Sequence, residues 1–555
     1  MKPSLNRKIL RNLLRRERNF SREDMEENLK YLILYSFLYK YLSDNLKKLL
    51  KSLMPPQEDL KFFFEDDEYY EMFQEESLEN LGYFFKNYNS FMDAAIFNEN
   101  YDGFLADEFF SKLQENLVYK LDSEMEDYFR LIFDILNHYK PDMMSQDHKT
   151  ELILGEYVKL ISKLDIDEKE FTFQQVYDVI ASSRIIRLDT TPDYLSSILT
   201  KLISSKVGEV NDAYDPFLKD ASTLIGLTKS IDIKNIYGKE ENRLNFFYSL
   251  IKGFINGYSP GNFSFYNQNA IQSMSVEDKT FDVIVSNVPS KVSSRYYPQR
   301  LEFPNLKTDK KSVLKDDLLS KIEESNLQDD KNVMDALKIL IEEVEASESV
   351  NEISFEGEYE SLNDSEFLFI INMLNALKDD GMMAISVSQN FLFKKSLNLL
   401  RKFLTHEKCY IDAVISVPEE LGRGIRPEVI IVFKKNKNTK DIVFIDISQV
   451  YTTSRSPNTV PGLFRKNLVL SEECLNKIVD IYMKREKINK ISNVVDLNEL
   501  KANNYNLSIS RYVDTYEGDF INLNELKEDK INIDSKMIEL NKKIEKLMNE
   551  LDIRL

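Results

Sequence analysis

Short runs rich in isoleucine and valine alternate with helix-forming stretches along the middle of the chain. The runs are Phe281–Ser286, Met382–Ser386, Ile411–Val417, Val429–Phe433 and Asp441–Ile447. Their length and β-branched content are typical of buried strands in a mostly parallel sheet. Stretches with helical character, such as Leu244–Ile255 and Phe367–Leu377, lie among them. This alternation predicts an α/β fold, a doubly wound Rossmann-like domain over residues 176–465.

Residues 1–175 are predicted to form an α-helical N-terminal domain. Within Arg22–Leu49, apolar side chains recur at the spacing of one helical stripe. The residues of this stripe are Leu29, Leu32, Ile33, Phe37 and Tyr41. The stretch Tyr128–Tyr139 has a similar character, and no strand-like alternation of comparable strength interrupts the region.

The C-terminal segment, residues 466–555, carries the clearest periodicity in the sequence. Its heptad seam is Leu523, Leu526, Lys530, Ile533, Met537, Leu540, Ile544, Leu547 and Leu551. This strict 3-4 spacing with charged flanks predicts a coiled-coil helix over residues 523–551. The helix either folds back on its own domain or faces helices of another chain. The narrow seam favours the second arrangement, with a specificity-type partner or a second copy as the neighbour.

An acidic insertion over residues 301–362 interrupts the α/β pattern. It is interpreted either as a solvated surface insertion, which we favour, or as a mobile loop over the active-site cleft.

The composition excludes several classes of protein. Two cysteines and three scattered histidines support neither a disulfide framework nor a metal site. The longest apolar stretch, Tyr31–Leu42, is shorter than the roughly 20 residues that span a bilayer, and the basic N-terminus precedes no hydrophobic signal core. A net charge of −20 argues against bulk electrostatic coating of nucleic acid, but not against a local basic groove. We therefore expect a cytoplasmic protein with no metal and no membrane contact.

The segment Phe281–Ser290 (FDVIVSNVPS) places an Asn-x-Pro sequence directly after a predicted strand. Amino-methyltransferases use such a segment at the carboxyl edge of a sheet. The Asn side chain and a backbone carbonyl accept hydrogen bonds from the target amine, and an aromatic ring then stacks on the base flipped out of the duplex. Alone, this pattern is also typical of an ordinary turn.

The segments that follow make the first pattern much more specific. They are Phe367–Leu377, Lys378–Gly381, Met382–Phe393, Ala413–Leu421, Ile425–Lys435 and Asp441–Ser448. In this order they resemble the catalytic domain of the modification (M) subunits of type I DNA restriction–modification systems, a DNA adenine-N6 methyltransferase family. Residues 16–44 resemble the helical N-terminal domain of that family, and residues 503–517 its C-terminal segment. The resemblance is collinear over nearly the whole chain.

The resemblance implies S-adenosylmethionine as cofactor and DNA as partner. The family's cofactor loop opens with Asp-Pro, which matches Asp215-Pro216, and continues with two glycines that let the backbone approach the cofactor. Glu240 then falls where a carboxylate would hold the ribose hydroxyls. Asn269 lies where an acidic residue would face the adenine amine, and Thr191 matches the threonine ahead of the loop.

The sequence departs from the family pattern at several of these positions together. Lys219 and Ala221 stand in place of the loop glycines, and Asn269 in place of the adenine-facing Asp. In the catalytic tetrapeptide, which is Asn287, Val288, Pro289 and Ser290, Val288 replaces a proline and Ser290 replaces the stacking aromatic residue. We therefore expect a catalytically degenerate chain that acts in DNA and partner binding or assembly. An active adenine methyltransferase that works through Asp215, Glu240 and Asn287, and a stand-alone regulatory protein, are the alternatives.

Overall fold

A computed structural model describes most of the chain. The described residues are 4–17, 27–54, 59–97, 106–121, 123–139, 148–183, 186–205, 209–270, 276, 279–289, 365–417, 428–449, 453–455, 468–514 and 523–550. The acidic insertion at 301–362 lies outside them, and so does Ser290. The predictions for these two regions therefore stay predictions.

Helices account for most of the first 205 residues and recur between the later strands. The α-helices are α1 Leu5–Glu17, α2 Glu27–Leu53, α3 Phe62–Glu65, α4 Asp67–Asn80, α5 Met92–Phe97, α6 Ala106–Asn116, α7 Glu124–Tyr139, α8 His148–Ile161, α9 Phe173–Ala181, α10 Asp193–Ser204, α11 Ser222–Thr228, α12 Arg243–Ile255, α13 Ser365–Ala376, α14 Asn390–Phe393, α15 Asn398–Lys402, α16 Glu472–Lys484, α17 Leu497–Ala502 and α18 Leu523–Glu550.

The strands fall into one large sheet and two short pairs. They are β1 Tyr83–Phe85, β2 Leu117–Tyr119, β3 Glu209–Asp215, β4 Asp232–Lys239, β5 Phe263–Tyr266, β6 Phe281–Asn287, β7 Leu377–Ser388, β8 Ile411–Ser416, β9 Glu428–Lys434, β10 Ile442–Asp446, β11 Thr453–Arg455, β12 Leu468–Leu470 and β13 Ser492–Val495. The short pairs are β1 with β2 and β11 with β12, both antiparallel.

The N-terminal region is helical, as predicted. The apolar stripe of α2 is buried except for Tyr41, which is half-buried. The helix also packs against α12 of the α/β region, where the rings of Tyr31 and Phe247 lie 5.3 Å apart. The pair of β1 with β2 was not predicted from the sequence. Each strand has only three residues, which is too short for a period of two to be recognised.

The large sheet has the order β13-β10-β8-β9-β7-β6-β3-β4-β5. The neighbours β10-β8, β7-β6, β6-β3, β3-β4 and β4-β5 are parallel, whereas β9 runs antiparallel to both β7 and β8. Each of the Ile/Val-rich runs lies in a buried strand, β6 to β10. The mixed α/β fold with a mostly parallel sheet is therefore confirmed.

The C-terminal segment contains more than helices. Strand β13 pairs antiparallel with β10 and forms one edge of the large sheet. Helix α18 follows, and its described seam side chains are exposed, with 61% of Ile533, 58% of Met537 and 57% of Leu540 accessible to solvent. Among the described residues, no helix combines the length and apolarity that a membrane crossing requires.

Candidate functional site

The carboxyl ends of β3, β4 and β6 meet at one edge of the sheet because these strands are parallel. Asp215 ends β3 and pairs in register with Gly238 of β4. Glu240 follows β4 by one residue, and Asn287 is the last residue of β6. Three side chains that the sequence places far apart therefore share one edge.

Asp215 connects β3 to the neighbouring strand. Its carboxylate, 1% exposed, accepts hydrogen bonds from the hydroxyl of Ser286 at 2.7 Å and from the N–H of Phe217 at 3.0 Å. Both bonds go to the same oxygen, Oδ1. Burial raises the pKa of Asp215 to about 7, against the lowering effect of these two hydrogen bonds.

Replacing Asp215 by Asn should stabilise the protein at alkaline pH. A carboxyl whose pKa is higher in the folded than in the unfolded state retains its proton on folding, so its contribution is lost as the pH rises from about 4 to about 7. Asn can keep both hydrogen bonds to Oδ1 without the charge. We expect the free energy of unfolding to rise by about 2–4 kcal/mol at pH 8, with little change at pH 4. Urea titrations of both proteins at the two pH values test this, and a loss of stability at pH 8 would contradict it.

The loop between β3 and α11 has a backbone that suits glycine. Lys219 has φ 51° and Ala221 has φ 57°, both in the left-handed region. This conformation costs a residue with a side chain roughly 1–2 kcal/mol. The two positions where the family resemblance implies glycines are thus the two positions in the loop where a glycine backbone is found.

Glu240 holds the loop from the β4 side. Its Oε2 accepts the N–H of Lys219 at 2.8 Å, and its Oε1 accepts the N–H of Asn242 at 2.8 Å. Burial raises the pKa of Glu240 to about 7. The carboxylate that was predicted to hold ribose hydroxyls therefore already binds two backbone amides of this chain.

The positive charge of Lys219 acts to lower the pKa of both carboxyls at this edge, Asp215 and Glu240, although burial outweighs it. The side chain of Lys219 is 17% exposed, and its Nζ lies 3.6 Å from the carboxylate of Asp189. Asp189 itself is 76% exposed, so this ion pair is a surface pair of small energetic value.

Thr191 and Asn269 lie on two further segments, before α10 and after β5. Thr191 is buried, and its backbone N–H donates to Oδ1 of Asp220 at 3.1 Å. Asn269 follows β5 and is half-buried. The contact of Thr191 is thus made by its backbone rather than by the hydroxyl.

The tetrapeptide that was predicted to be catalytic begins at the end of β6. Asn287 is 6% and Val288 4% exposed, and the N–H of Val288 donates to the carbonyl of Ser386 on β7 at 3.1 Å. This bond joins the end of β6 to β7. Pro289 is half-buried and is the last described residue before the insertion.

Two parts of the site were not predicted from the sequence. Ser286 was assigned only to a strand, although a hydroxyl at the end of an otherwise apolar run is a signal for a polar contact. The polar residues of α12 were also missed. Their i, i+4, i+7 spacing at Asn245, Ser249 and Lys252 is visible in the sequence.

This architecture defines the class of protein: an α/β, Rossmann-like domain of methyltransferase type that carries a helical N-terminal region. Residues 305–519 match the model of the N-6 DNA Methylase family. The match begins after Asn287, so it includes neither the tetrapeptide nor the loop after β3.

The curated relatives are methylase subunits of type I restriction enzymes. The type I restriction enzyme MpnII methylase subunit of Mycoplasma pneumoniae is 23% identical over 341 residues, 59% of this chain and 52% of that relative. The MjaVII methylase subunit of Methanocaldococcus jannaschii is 38% identical over 111 residues, 19% of this chain and 18% of that relative. The chain thus spans about half the length of the first relative and under a fifth of the second.

A solved structure agrees over a longer stretch. The methyltransferase subunit of a type I restriction–modification system from Streptococcus thermophilus has a TM-score of 0.64 at 19% identity, covering 92% of this chain and 99% of that one. At this identity the likeness concerns the fold. Together, these findings support the resemblance of the chain to the modification subunits of type I restriction–modification systems.

The resemblance to this methyltransferase family implies S-adenosylmethionine as cofactor, and two features of the loop do not fit it. The methyl donor carries a positive sulfonium, and the positive charge of Lys219 already acts on Asp215 and Glu240 at this edge. In addition, each carboxylate oxygen of Glu240 already accepts a hydrogen bond from a backbone N–H of the chain. Among the described residues, no group of three His, Cys, Asp or Glu side chains could hold a metal ion instead.

Proposed function

We propose that this chain is a modification-subunit-like scaffold that binds DNA and a partner subunit and does not transfer methyl groups. One observation carries the proposal: Lys219 occupies a glycine-type backbone position, and its ammonium is close enough to Asp215 and Glu240 to act on the pKa of both carboxyls. Burying or displacing that ammonium beside a cationic ligand is electrostatically unfavourable. The fold would then be kept for assembly rather than for chemistry.

The other candidate is an active S-adenosylmethionine-dependent DNA adenine-N6 methyltransferase. The observation in its favour is that Asp215, Glu240 and Asn287 share one sheet edge. In that case Lys219 would have to swing out of the loop on cofactor binding, which its weak, exposed partner Asp189 would permit. The cofactor titration and the methylation assay described in the Discussion separate the two candidates.

The partner subunit is assigned to the C-terminal helix. Exposed large apolar side chains at heptad spacing on α18, among them Ile533, Met537 and Leu540, support a seam for helices of another chain. A specificity-type subunit or a second copy of the chain fits this seam. We further propose the division into residues 1–175, 176–465 and 466–555, and a cytoplasmic location for the whole assembly.

Substituting Ile533, Leu540 and Leu547 by Asp should break such complexes while the α/β region stays folded. Each Asp would put a charge in an apolar interface, where a desolvated carboxylate is strongly unfavourable. Size-exclusion chromatography with light scattering measures the assembly, for the chain alone and after co-expression with a specificity-type subunit. We expect the triple variant to elute as a monomer in both experiments.

The same helix supplies a matched control. Ser535, Lys542 and Asn549 have the same seven-residue spacing on the opposite face. Asp at these three positions should leave the assembly intact. If the seam variant assembles as the wild type does, the seam does not hold the partner.

A further inference from the structure

A buried polar stripe runs along α12. Asn245, Ser249 and Lys252 follow at i, i+4 and i+7, so their side chains share one face of the helix. Their exposures are 3%, 0% and 4%. Buried polar groups destabilise a protein unless their hydrogen bonds are made. The hydrogen-bond partners of these three side chains therefore indicate what the stripe does.

Each member of the stripe binds one of the two segments that form the cofactor loop region. Asn245 Nδ2 donates to the carbonyl of Asp189 at 2.7 Å, and Ser249 Oγ to the carbonyl of Lys219 at 3.0 Å. Lys252 Nζ donates to Oγ of Ser222 at 2.7 Å. One helix face thus holds both residues 189–191 and residues 219–222.

Lys252 is the charged centre of this arrangement. Its Nζ lies 3.4 Å from the carboxylate of Asp220 and 3.1 Å from that of Asp178. Burial acts to lower the pKa of Lys252, but the two carboxylates outweigh it and raise the pKa, so the ammonium is retained. Asp220 in turn accepts the backbone N–H of Thr191 through its other oxygen.

Asp178 brings the helical N-terminal region into the same network, because it belongs to α9. The hydroxyl of Tyr248 on α12 donates to Asp178 Oδ1 at 2.5 Å. Beside this bond, the rings of Tyr177 and Tyr248 stack with their centroids 4.6 Å apart. Helix α9 is therefore linked to the loop, because Asp178 of α9 pairs with Lys252, which also pairs with Asp220 of the loop.

We propose that Lys252 is a positioning residue: with Asp178 and Asp220 it fixes the segments 189–191 and 219–222, so that their conformation depends on the docking of α9. In this proposal, the contacts of Lys252 with Asp178 and Asp220 order the two segments, as a bound ligand would otherwise do. They also account for how Lys219 and Ala221 are held in the left-handed region without glycine. The proposal concerns the free chain and stands apart from whether it transfers methyl groups.

Hydrogen exchange followed by mass spectrometry, on the full chain without cofactor or DNA, tests this. The amides of Thr191 and Lys219 are direct reporters, because they donate to Asp220 and Glu240. Asp178→Asn is an isosteric change at a side chain that is 36% exposed, so this variant should fold. We expect it to speed exchange in both loop segments by about tenfold or more, and Lys252→Met to do so further.

The matched control is another buried lysine ion pair. Lys437 lies 3.6 Å from Asp412, and the two side chains are 3% and 4% exposed. Lys437→Met should speed exchange in β8 and leave the two loop segments at the wild-type rate. Unchanged loop exchange in Asp178→Asn, or loop exchange raised equally by Lys437→Met, would overturn the proposal. Asp178→Asn decides the matter even if Lys252→Met does not fold.

Discussion

Calorimetric titration of the wild-type chain with S-adenosylmethionine should give no binding isotherm in the micromolar range. The ammonium of Lys219 acts on the carboxyls of Asp215 and Glu240 and would repel the sulfonium of a ligand bound beside them. Glu240 would have to bind the ribose hydroxyls with oxygens that already accept the amides of Lys219 and Asn242. The raised pKa of the Glu240 and Asp215 carboxyls, about 7 for each, further weakens their attraction for a cation near neutral pH. A binding isotherm in the micromolar range for the wild type would contradict the hypothesis that the loop no longer binds S-adenosylmethionine.

The double variant Lys219→Gly/Ala221→Gly should improve binding. Glycine adopts the left-handed backbone of both positions without the cost of roughly 1–2 kcal/mol that a side chain adds, so the variant should remain folded. Lys490→Gly is the matched control, since Lys490 also has a left-handed backbone, with φ 64°. It should leave binding unchanged. If the double variant binds no better than the control, the obstacle lies elsewhere, as at Asn269.

Most of the sheet could be predicted from the sequence. The Ile/Val-rich runs became β6 to β10, because continuous apolar runs are buried on both faces of a sheet covered by helices. Strand β13 could not be predicted, because four residues at a sheet edge carry no distinctive period. The exposure of the seam on α18 was consistent with the favoured arrangement, yet a heptad pattern alone leaves the partner open.

The site was only partly predictable. The positions of Asp215, Glu240 and Asn287 at one edge follow from strand ends in a parallel sheet. The bond of Ser286 to Asp215 and the ion pair of Lys252 with Asp178 do not, since they join residues 71 and 74 positions apart. Such contacts are set by how strands and helices pack, which local sequence patterns do not encode.

Methyl transfer itself should be absent. This effect is larger than the loss of cofactor binding. In an active enzyme, Asn287 and the carbonyl of Val288 would accept the two hydrogens of the adenine amine. Removing a group that acts in the transition state typically costs about 3–4 kcal/mol, or roughly a hundred- to a thousandfold in rate. The flipped base would also lack a stacking ring, because Ser290 has no π-face, and stacking is worth about 1–3 kcal/mol per base. Asn287→Ala should therefore change no methylation, and at most slightly change stability.

The central claim, a modification-subunit scaffold without methyl transfer, is tested most directly by sequencing genomic DNA for N6-methyladenine. Three strains are needed: with the gene, without it, and with Asn287→Ala in its place, each retaining the specificity-type partner. The account predicts the same pattern of N6-methyladenine in all three. A methylated motif that is present with the wild-type gene and disappears both on deletion and in Asn287→Ala would contradict it and establish the active enzyme.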